Sequence, residues 1–221
     1  VISNNLANVN TKGYKRVQAN FQDLLYDKFV AAGSESSQGV QSPTGLQVGS
    51  GTRVVSTSKV FTQGVPENTG RSLDMSIQGP GFFQVSHPDG STVYTRDGSF
   101  QLNSNGELVN SEGLRLDPST TIQGNVIAIN IGSDGTVSTQ SSDGSTQPVG
   151  QITLATFPNQ AGLDSMGKNL YRETTASGTP QTGTPGLNGV GEIMQGFLES
   201  SNVEVVTELV NLIVAQRAYE T

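Results

Sequence analysis

Gly81–Val109 reads GFFQVSHPDGSTVYTRDGSFQLNSNGELV, and these residues decide the fold. Runs rich in aromatic and β-branched residues, such as GFFQVSH and STVYTRD, are cut by Asp89-Gly90 (after Pro88), Asp97-Gly98 and Asn105-Gly106. Asp-Gly and Asn-Gly between such runs are the strongest short hairpin signal, because a type I′ turn requires positive φ at both central residues. Asp134-Gly135 and Asp143-Gly144 repeat the signal further along. The spacing predicts an antiparallel β domain of short strands.

Outward from this stretch, a period of two reaches back to Arg53. Val55, Thr57, Lys59 and Phe61 alternate with Val54, Ser56, Ser58 and Val60, and SLDMSIQ follows. On the other side, Ile127, Ile129, Ile131 and then Ile152, Leu154, Thr156 predict strands with one buried face each. The β pattern runs to about Glu173, and TASGTPQTGTPGLNGVG (175–191) reads as a loop. Residues 53–190 are therefore predicted to form one β-rich domain.

Both ends change period. In 1–30, Ile2, Leu6 and Val9 lie at helical spacing, threaded with Asn4, Asn5, Asn8 and Asn10. Asn10-Thr11-Lys12-Gly13 stops that helix, with Gly13 as its left-handed cap. Val17, Phe21, Leu24, Leu25 and Phe29 resume at i, i+4, i+7, i+8, which predicts a second short amphipathic helix. Residues 31–52 carry little apolar periodicity and much Gly, Ser and Gln, with Gly39, Pro43, Gly45 and Gly49 among them. They read as an extended loop, and loops of that length inside a domain are functional or disordered. In 191–221, Ser201 or Asn202 can cap a C-terminal helix. Its wide apolar stripe holds Val203, Val205, Val206, Leu209, Val210, Leu212, Ile213 and Tyr219. Glu204 and Glu208 near its start and Arg217 near its end suit the helix dipole. The pattern still runs at Thr221 without a cap, so a piece of a longer chain is expected.

Composition narrows the function. Apolar residues make up 33% and charged residues 14% of the 221, with 27 glycines, which suits short strands joined by turns. The net charge of -7 lacks the basic footprint of a nucleic-acid binder. Lys12, Lys15 and Arg16 form one small cluster, read as a solvated patch at a helix end. There is no cysteine, hence no disulfide and no thiolate chemistry. No apolar run is long enough to predict a transmembrane helix.

Chemistry-bearing motifs do not converge. Gly162–Asn169 fits G-x-x-x-x-G-K but ends in Asn169, which lacks the hydroxyl that holds magnesium in a P-loop, and LYRET after it reads as a strand. His87 is the single histidine and stands beside a turn. The aspartates of the Asp-Gly pairs match neither EF-hand nor nonapeptide calcium spacing. Asp89, Asp97, Glu107 and Glu112 could in principle supply a glycosidase carboxylate pair, but nothing singles out two of them. No catalytic residue, metal ligand or cofactor is assigned, and the reading is of a protein that is not an enzyme.

The helices carry the information instead. Short helices gain stability from packing rather than from their own hydrogen bonds. A buried amide costs stability unless partnered, yet it fixes register and partner number in helical assemblies. Asn4, Asn5 and Asn8 beside Ile2 and Leu6 are placed for that role. The expected alternative is packing of both helices on their own β domain.

SNNLANVNTKGYKR followed by FQDLLY resembles the N-terminal signature of the flagellar rod, hook and hook-associated protein family, and ELVNLIVAQRAYE resembles its C-terminal signature. LQVGSGTRVVSTSKVFTQG, IQGPGFFQV, YTRDGSFQLNSNGELV and GLNGVGEIMQGFLESSNV extend the resemblance through the middle. Within the family these segments, with the long stretch before residue 53, are most similar to distal rod subunits. The resemblance implies a structural subunit that self-assembles into a rigid tubular drive shaft. Its β domain would face outward, and its terminal helices would pair as a coiled coil on the inner wall. It implies an assembly interface of Ile2, Asn4, Asn5, Leu6, Asn8 and Val9 with Val206, Leu209, Val210, Ile213, Gln216, Arg217 and Tyr219, and a rod-specific loop at 31–52. Implied partners are copies of itself, proximal rod proteins, hook protein, the P- and L-ring proteins as bushing, and the flagellar type III export apparatus. The implied location is the periplasm-spanning rod of the basal body, reached without a cleaved leader, with no nucleic acid bound and no membrane insertion. The alternatives are a hook or hook-associated subunit, or a secreted β-rich carbohydrate-binding module, which would need an aromatic platform from Tyr94, Tyr171 and Phe157.

Overall fold

The computed structural model describes residues 1–220 except 33–34, 38–39, 42–43, 123–125 and 143. It is mainly β, with a short N-terminal helix, Ile2–Ala7, and a long C-terminal helix, Val205–Glu220. The chain divides into two compact units. One is Val17–Lys59 with Val1; the other is Ile2–Arg16 with Val60–Thr221.

The first unit is an antiparallel ribbon. Val17–Asp23 pairs with Thr52–Lys59 in the register Val17↔Lys59, with a bulge after Asn20. Tyr26–Val30 then pairs with Leu46–Gly49. Hydrogen bonds from Leu24 N–H to Gly51 O (2.8 Å) and from Ser50 N–H to Leu25 O (3.2 Å) join the two ladders. The helix expected over 17–29 and the loop expected over 31–52 are both corrected here. Val17, Ala19 and Phe21 also alternate with period two, and their cross-strand partners are Lys59, Thr57 and Val54. The strand pattern of 53–60 needed an edge to pair with, and the preceding segment supplies it. Gly39 and Pro43 lie outside the described residues.

The second unit holds the core. Its largest sheet runs, strand by strand, through Gln101–Leu102, Leu108–Val109, Arg115–Asp117, Phe82–Ser86, Thr92–Thr95, Leu170–Arg172 and Asp164–Gly167. Leu154–Thr156 pairs with both Phe82–Ser86 and Gln181–Gly183. The strands Val126–Ile131, Thr136–Ser141 and Thr146–Gln151 form a separate three-stranded sheet. The central strands are buried on both faces. Phe83, Val85, Val93, Leu154 and Leu170 join the cluster that contains Met75, Phe100 and Ile152. Phe82, Tyr94, Ala155 and Tyr171 join Phe157 and Leu163 in a second cluster, with Phe61 packed against it. The Gly81-Phe82-Phe83 run is apolar at successive positions because each phenylalanine serves a different face.

Strand structure also extends past the predicted loop. Glu192–Gln195 pairs with Met75–Gln78, and Phe197–Glu199 pairs with Pro66–Asn68. The C-terminal helix therefore begins at Val205, well after residue 191.

Of the predicted turns, Asp97-Gly98 is not a hairpin, because Thr92–Thr95 and Gln101–Leu102 on either side of it pair with other strands; the others form where expected but by a different geometry. At His87–Ser91, Gly90 N–H donates to His87 O (3.0 Å) and His87 N–H to Ser91 O (2.9 Å). Only Gly90 has positive φ. That is a β-turn followed by a left-handed glycine, the three-residue hairpin loop, not type I′. The same pattern closes on Gly106, Gly113, Gly135 and Gly144. Asp143 of the last pair lies outside the described residues. Gly98 has no positive φ; a Cβ there would lie 1.6 Å from Met75 O. Positive φ at both central residues occurs at Asn188-Gly189 (52° and 79°), closed by Val190 N–H to Leu187 O (2.9 Å), and at Lys168-Asn169 (54° and 58°), inside the P-loop-like stretch. Gly167↔Leu170 closes it as a hairpin, and a strand follows. No helix N-terminus faces a phosphate there.

Candidate assembly surfaces and the joint beneath them

The segment that follows the N-terminal helix meets the β core at Gly13, Tyr14 and Lys15, all buried. Gly13 sits at φ +70°, as a left-handed stop requires, and its N–H donates to Glu199 O at 2.8 Å. Lys15 corrects the expected solvated patch, because it is fully buried. Its Nζ donates to Glu199 Oε1 (2.6 Å) and to Thr62 O (2.8 Å). Arg96 Nη1 reaches Glu199 Oε2 at 3.4 Å, and its Nη2 donates to Gly79 O at 2.9 Å. Gly64 N–H completes the shell of the carboxylate at 2.8 Å. Burial pushes the Lys15 ammonium below the usual lysine range, opposed by the Glu199 carboxylate. Lys12 pairs with Glu67, and Arg16 lies 3.8 Å from Glu208.

Above this point the two helices meet through polar side chains. Asn5 is buried and donates to Glu208 Oε1 at 3.3 Å. Tyr14 Oη donates to Asn4 Oδ1 at 2.8 Å. Burial, and then the Glu208 charge, raise its phenol pKa. Asn8 donates to Asn4 O within its own helix (2.8 Å). Ile2, Leu6, Asn8 and Val9 are half-buried, and Asn4 and Asn10 are exposed. Asn202 does not cap the C-terminal helix. Its Oδ1 accepts from Arg16 N–H (2.7 Å), and its Nδ2 donates to Val60 O (2.8 Å) and Thr62 Oγ1 (2.9 Å), so it ties three chain segments together.

The C-terminal helix inverts the usual arrangement. The residue it buries is Glu208. Val206, Leu209, Val210 and Ile213 remain 42–69% exposed, and Tyr219 is 93% exposed. Gln216 and Arg217 are exposed as well. The ribbon shows the same excess: Phe21, Leu25, Phe29, Leu46, Val54 and Val55 are all exposed. Gly45 lies where a Cβ would stand 2.5 Å from Val30 O, and Gly49 pairs with Tyr26.

Other candidate sites dissolve. Tyr94, Tyr171 and Phe157 are core residues with edge-to-face contacts, so they offer no sugar platform. Asp89 binds Ser91, Asp97 accepts from Ser99 N–H, Glu107 pairs with Arg115, and Glu112 pairs with Lys168. Among the described residues, no group of His, Cys, Asp and Glu could hold a metal, and no helix is long and apolar enough to cross a membrane. Arg96 and Glu199 escaped the sequence reading, and Lys15, Asn202 and Glu208 were read there as a solvated patch, a cap and a dipole partner. A charged residue inside an apolar run, as in GFLESSNV or VVTELV, is the signal that could have found two of them.

Comparison with known proteins shows the family. Residues 1–15 match the family described as flagella basal body rod protein. Residues 76–139 match the flagellar hook protein FlgE/F/G D1 domain, and 194–221 the flagellar basal body rod FlgEFG protein C-terminal family. The flagellar basal-body rod protein FlgG of Buchnera aphidicola subsp. Schizaphis graminum is 54% identical over 222 residues, covering 100% of this chain and 85% of that one. Caulobacter vibrioides supplies an internal contrast. Its FlgG is 47% identical over 223 residues (100% and 85% covered), whereas its FlgF is 36% identical over 225 (100% and 82%). Aligned over its whole length at these identities, and nearer to FlgG than to FlgF within one organism, the chain belongs to the flagellar basal-body rod protein family, on its FlgG branch.

Proposed function

We infer that the chain is a structural subunit of the flagellar distal rod, and that its two helices and its ribbon are the surfaces through which copies polymerise into a stiff tube. The observation that carries this is the C-terminal helix: a stripe from Val206 to Ile213 left open to solvent while a carboxylate is buried. Each buried Leu, Ile or Val side chain contributes roughly 1.5–3 kcal/mol, so covering that stripe with neighbouring subunits would drive assembly. Asn5 bonded to Glu208 sets the register of the helix pair within one subunit; coiled-coil continuation along the inner wall is part of the proposal. The β core would form the outer layer. Neighbours would be proximal rod proteins below and hook protein above, with P- and L-ring proteins as bushing, after passage through the type III export apparatus and across the periplasm. The work is mechanical, and no catalytic step is assigned to it.

Single cysteines at Leu6 and Ile213, in a background with no native cysteine, test the proposal in intact basal bodies. Cross-links within and between subunits are expected. Correctly assembled rods in which neither position cross-links would overturn the helix-wall reading.

A further inference from the structure

We propose that the buried Lys15–Glu199–Arg96 triad is a positioning device, which fixes the direction in which the two helix-bearing segments leave the β core. Its members come from three places in the chain. Lys15 follows the N-terminal helix, Arg96 lies in the β core between Tyr94 and Phe100, and Glu199 ends the strand that leads to the C-terminal helix. All three are buried, with side-chain exposures of 1–3%.

Charge is a poor way to stabilise such a spot. Apolar residues of similar volume generally serve a core as well as or better than a buried ion triad. What charge adds is direction, because each bond is satisfied in one geometry only. Here the carboxylate receives Lys15 and Gly64 N–H on Oε1 and Arg96 on Oε2, while the Glu199 carbonyl receives Gly13 N–H. Lys15 and Arg96 each spend a further donor on a backbone carbonyl, of Thr62 and Gly79. The Arg96 guanidinium lies 5.2 Å from the Phe82 ring centroid, which ties the triad to the aromatic cluster. A rotation of the helical segments about the joint would strand two cations and a carboxylate among apolar side chains.

A second observation points the same way. The backbones at the joint approach too closely for any side chain. A Cβ on Gly64 would fall 1.8 Å from Ser200 O, and one on Gly13 would fall 2.7 Å from Asp97 N. The segments are seated against one another where the ions meet. In a shaft that carries torque, such a joint would hold the outer layer at a constant angle to the inner wall. That consequence rests on the assembly reading; the joint itself does not, and it is tested on the unassembled chain.

Spin labels at engineered cysteines replacing Ala215, on the C-terminal helix, and Ser104, on the β core, report the angle as a distance distribution in the full chain. The triple variant Lys15→Met/Arg96→Met/Glu199→Leu is expected to keep the wild-type circular dichroism while that distribution broadens about twofold or more, as directional bonds are exchanged for apolar contact. A control pair at Ser104 and Thr146 should not change. A triple variant with the wild-type distribution would show that packing alone sets the angle and would overturn the proposal. Hydrogen exchange on the unmodified chain gives an independent check that requires no variant to fold. The Gly13 and Gly64 amides, both donated to Glu199, should exchange as slowly as those of Val85 and Val93. Exchange at the rate of an open loop would refute a fixed joint.

Discussion

Gly13 carries two demands at once: positive φ, and a backbone passing so near that a Cβ would meet Asp97 N at 2.7 Å and Arg96 C at 2.8 Å. The first was legible in Asn-Thr-Lys-Gly; the second was not, because Arg96 is far away in sequence. Gly13→Ala should therefore cost more than the roughly 1 kcal/mol typical of a left-handed position, read as a lowered midpoint in urea unfolding of the full chain. A cost at or below that value would mean that the neighbouring backbone yields easily. Tyr94 gives a prediction in pH. Burial first, then the charges of Glu173 and Asp117, push its phenol up to about 12. The unfolded phenol loses its proton near 10, while the folded one keeps it. Between those values the unfolded state binds fewer protons, so stability present below pH 10 is lost as pH rises toward 12. Stability measured across that window should fall, and Tyr94→Phe should flatten the fall; an unchanged slope would place the proton loss elsewhere.

The elements differ in how far their own residues determine them. Hairpins of the β core were legible because Asp-Gly and Asn-Gly act locally, although in those hairpins the glycine alone takes positive φ, and the paired-positive turns stand at Asn188-Gly189, inside the predicted loop, and at Lys168-Asn169. Asn110–Leu114 closes on Gly113 without either dipeptide, so turn chemistry is broader than its strongest signal. Val17–Val30 misled because five apolar residues at helical spacing also fit strands once a partner is supplied, and that partner, Leu46–Lys59, follows a stretch of weak pattern. Tertiary pairing overrode the local period. The C-terminal helix was legible as a helix, but its buried Glu208 was not, because the carboxylate's partners Asn5 and Arg16 lie some two hundred residues away. Ile213 is half exposed in the subunit. Ile213→Glu should change the unfolding free energy of the subunit by no more than about 0.5 kcal/mol, the range typical of surface changes, and yet abolish rod assembly in cells. Full rods from that variant would mean that the stripe is not the polymer contact.

At the scale of the whole molecule, the two compact units stand in contrast. The larger unit is packed around two clusters of buried aromatic and aliphatic side chains. Among its described residues the ribbon has none: in Tyr26–Val30 every residue is exposed, and Phe21 and Leu25 stand 67% and 86% open. A two-stranded ribbon is marginal in water by itself, and exposed strand edges invite pairing with other chains. Composition pointed to a loop because glycine, serine and glutamine dominate it, and nothing within one chain could say what covers its apolar side chains. If neighbouring subunits cover them, the ribbon braces the tube against bending. Replacing residues 26–49 by Asn-Gly would close a short hairpin between Leu25 and Ser50, which are already hydrogen bonded. The β core, which uses none of the removed residues, should then unfold at its original temperature. Rods built from the shortened chain should bend more, seen as a shorter persistence length in electron micrographs of isolated basal bodies. Equal stiffness would assign the brace to the helices and β core alone, and the apolar ribbon would need a different occupant. Loss of assembly with the core intact would instead make the ribbon a condition for polymerising at all, a stronger form of the same coupling.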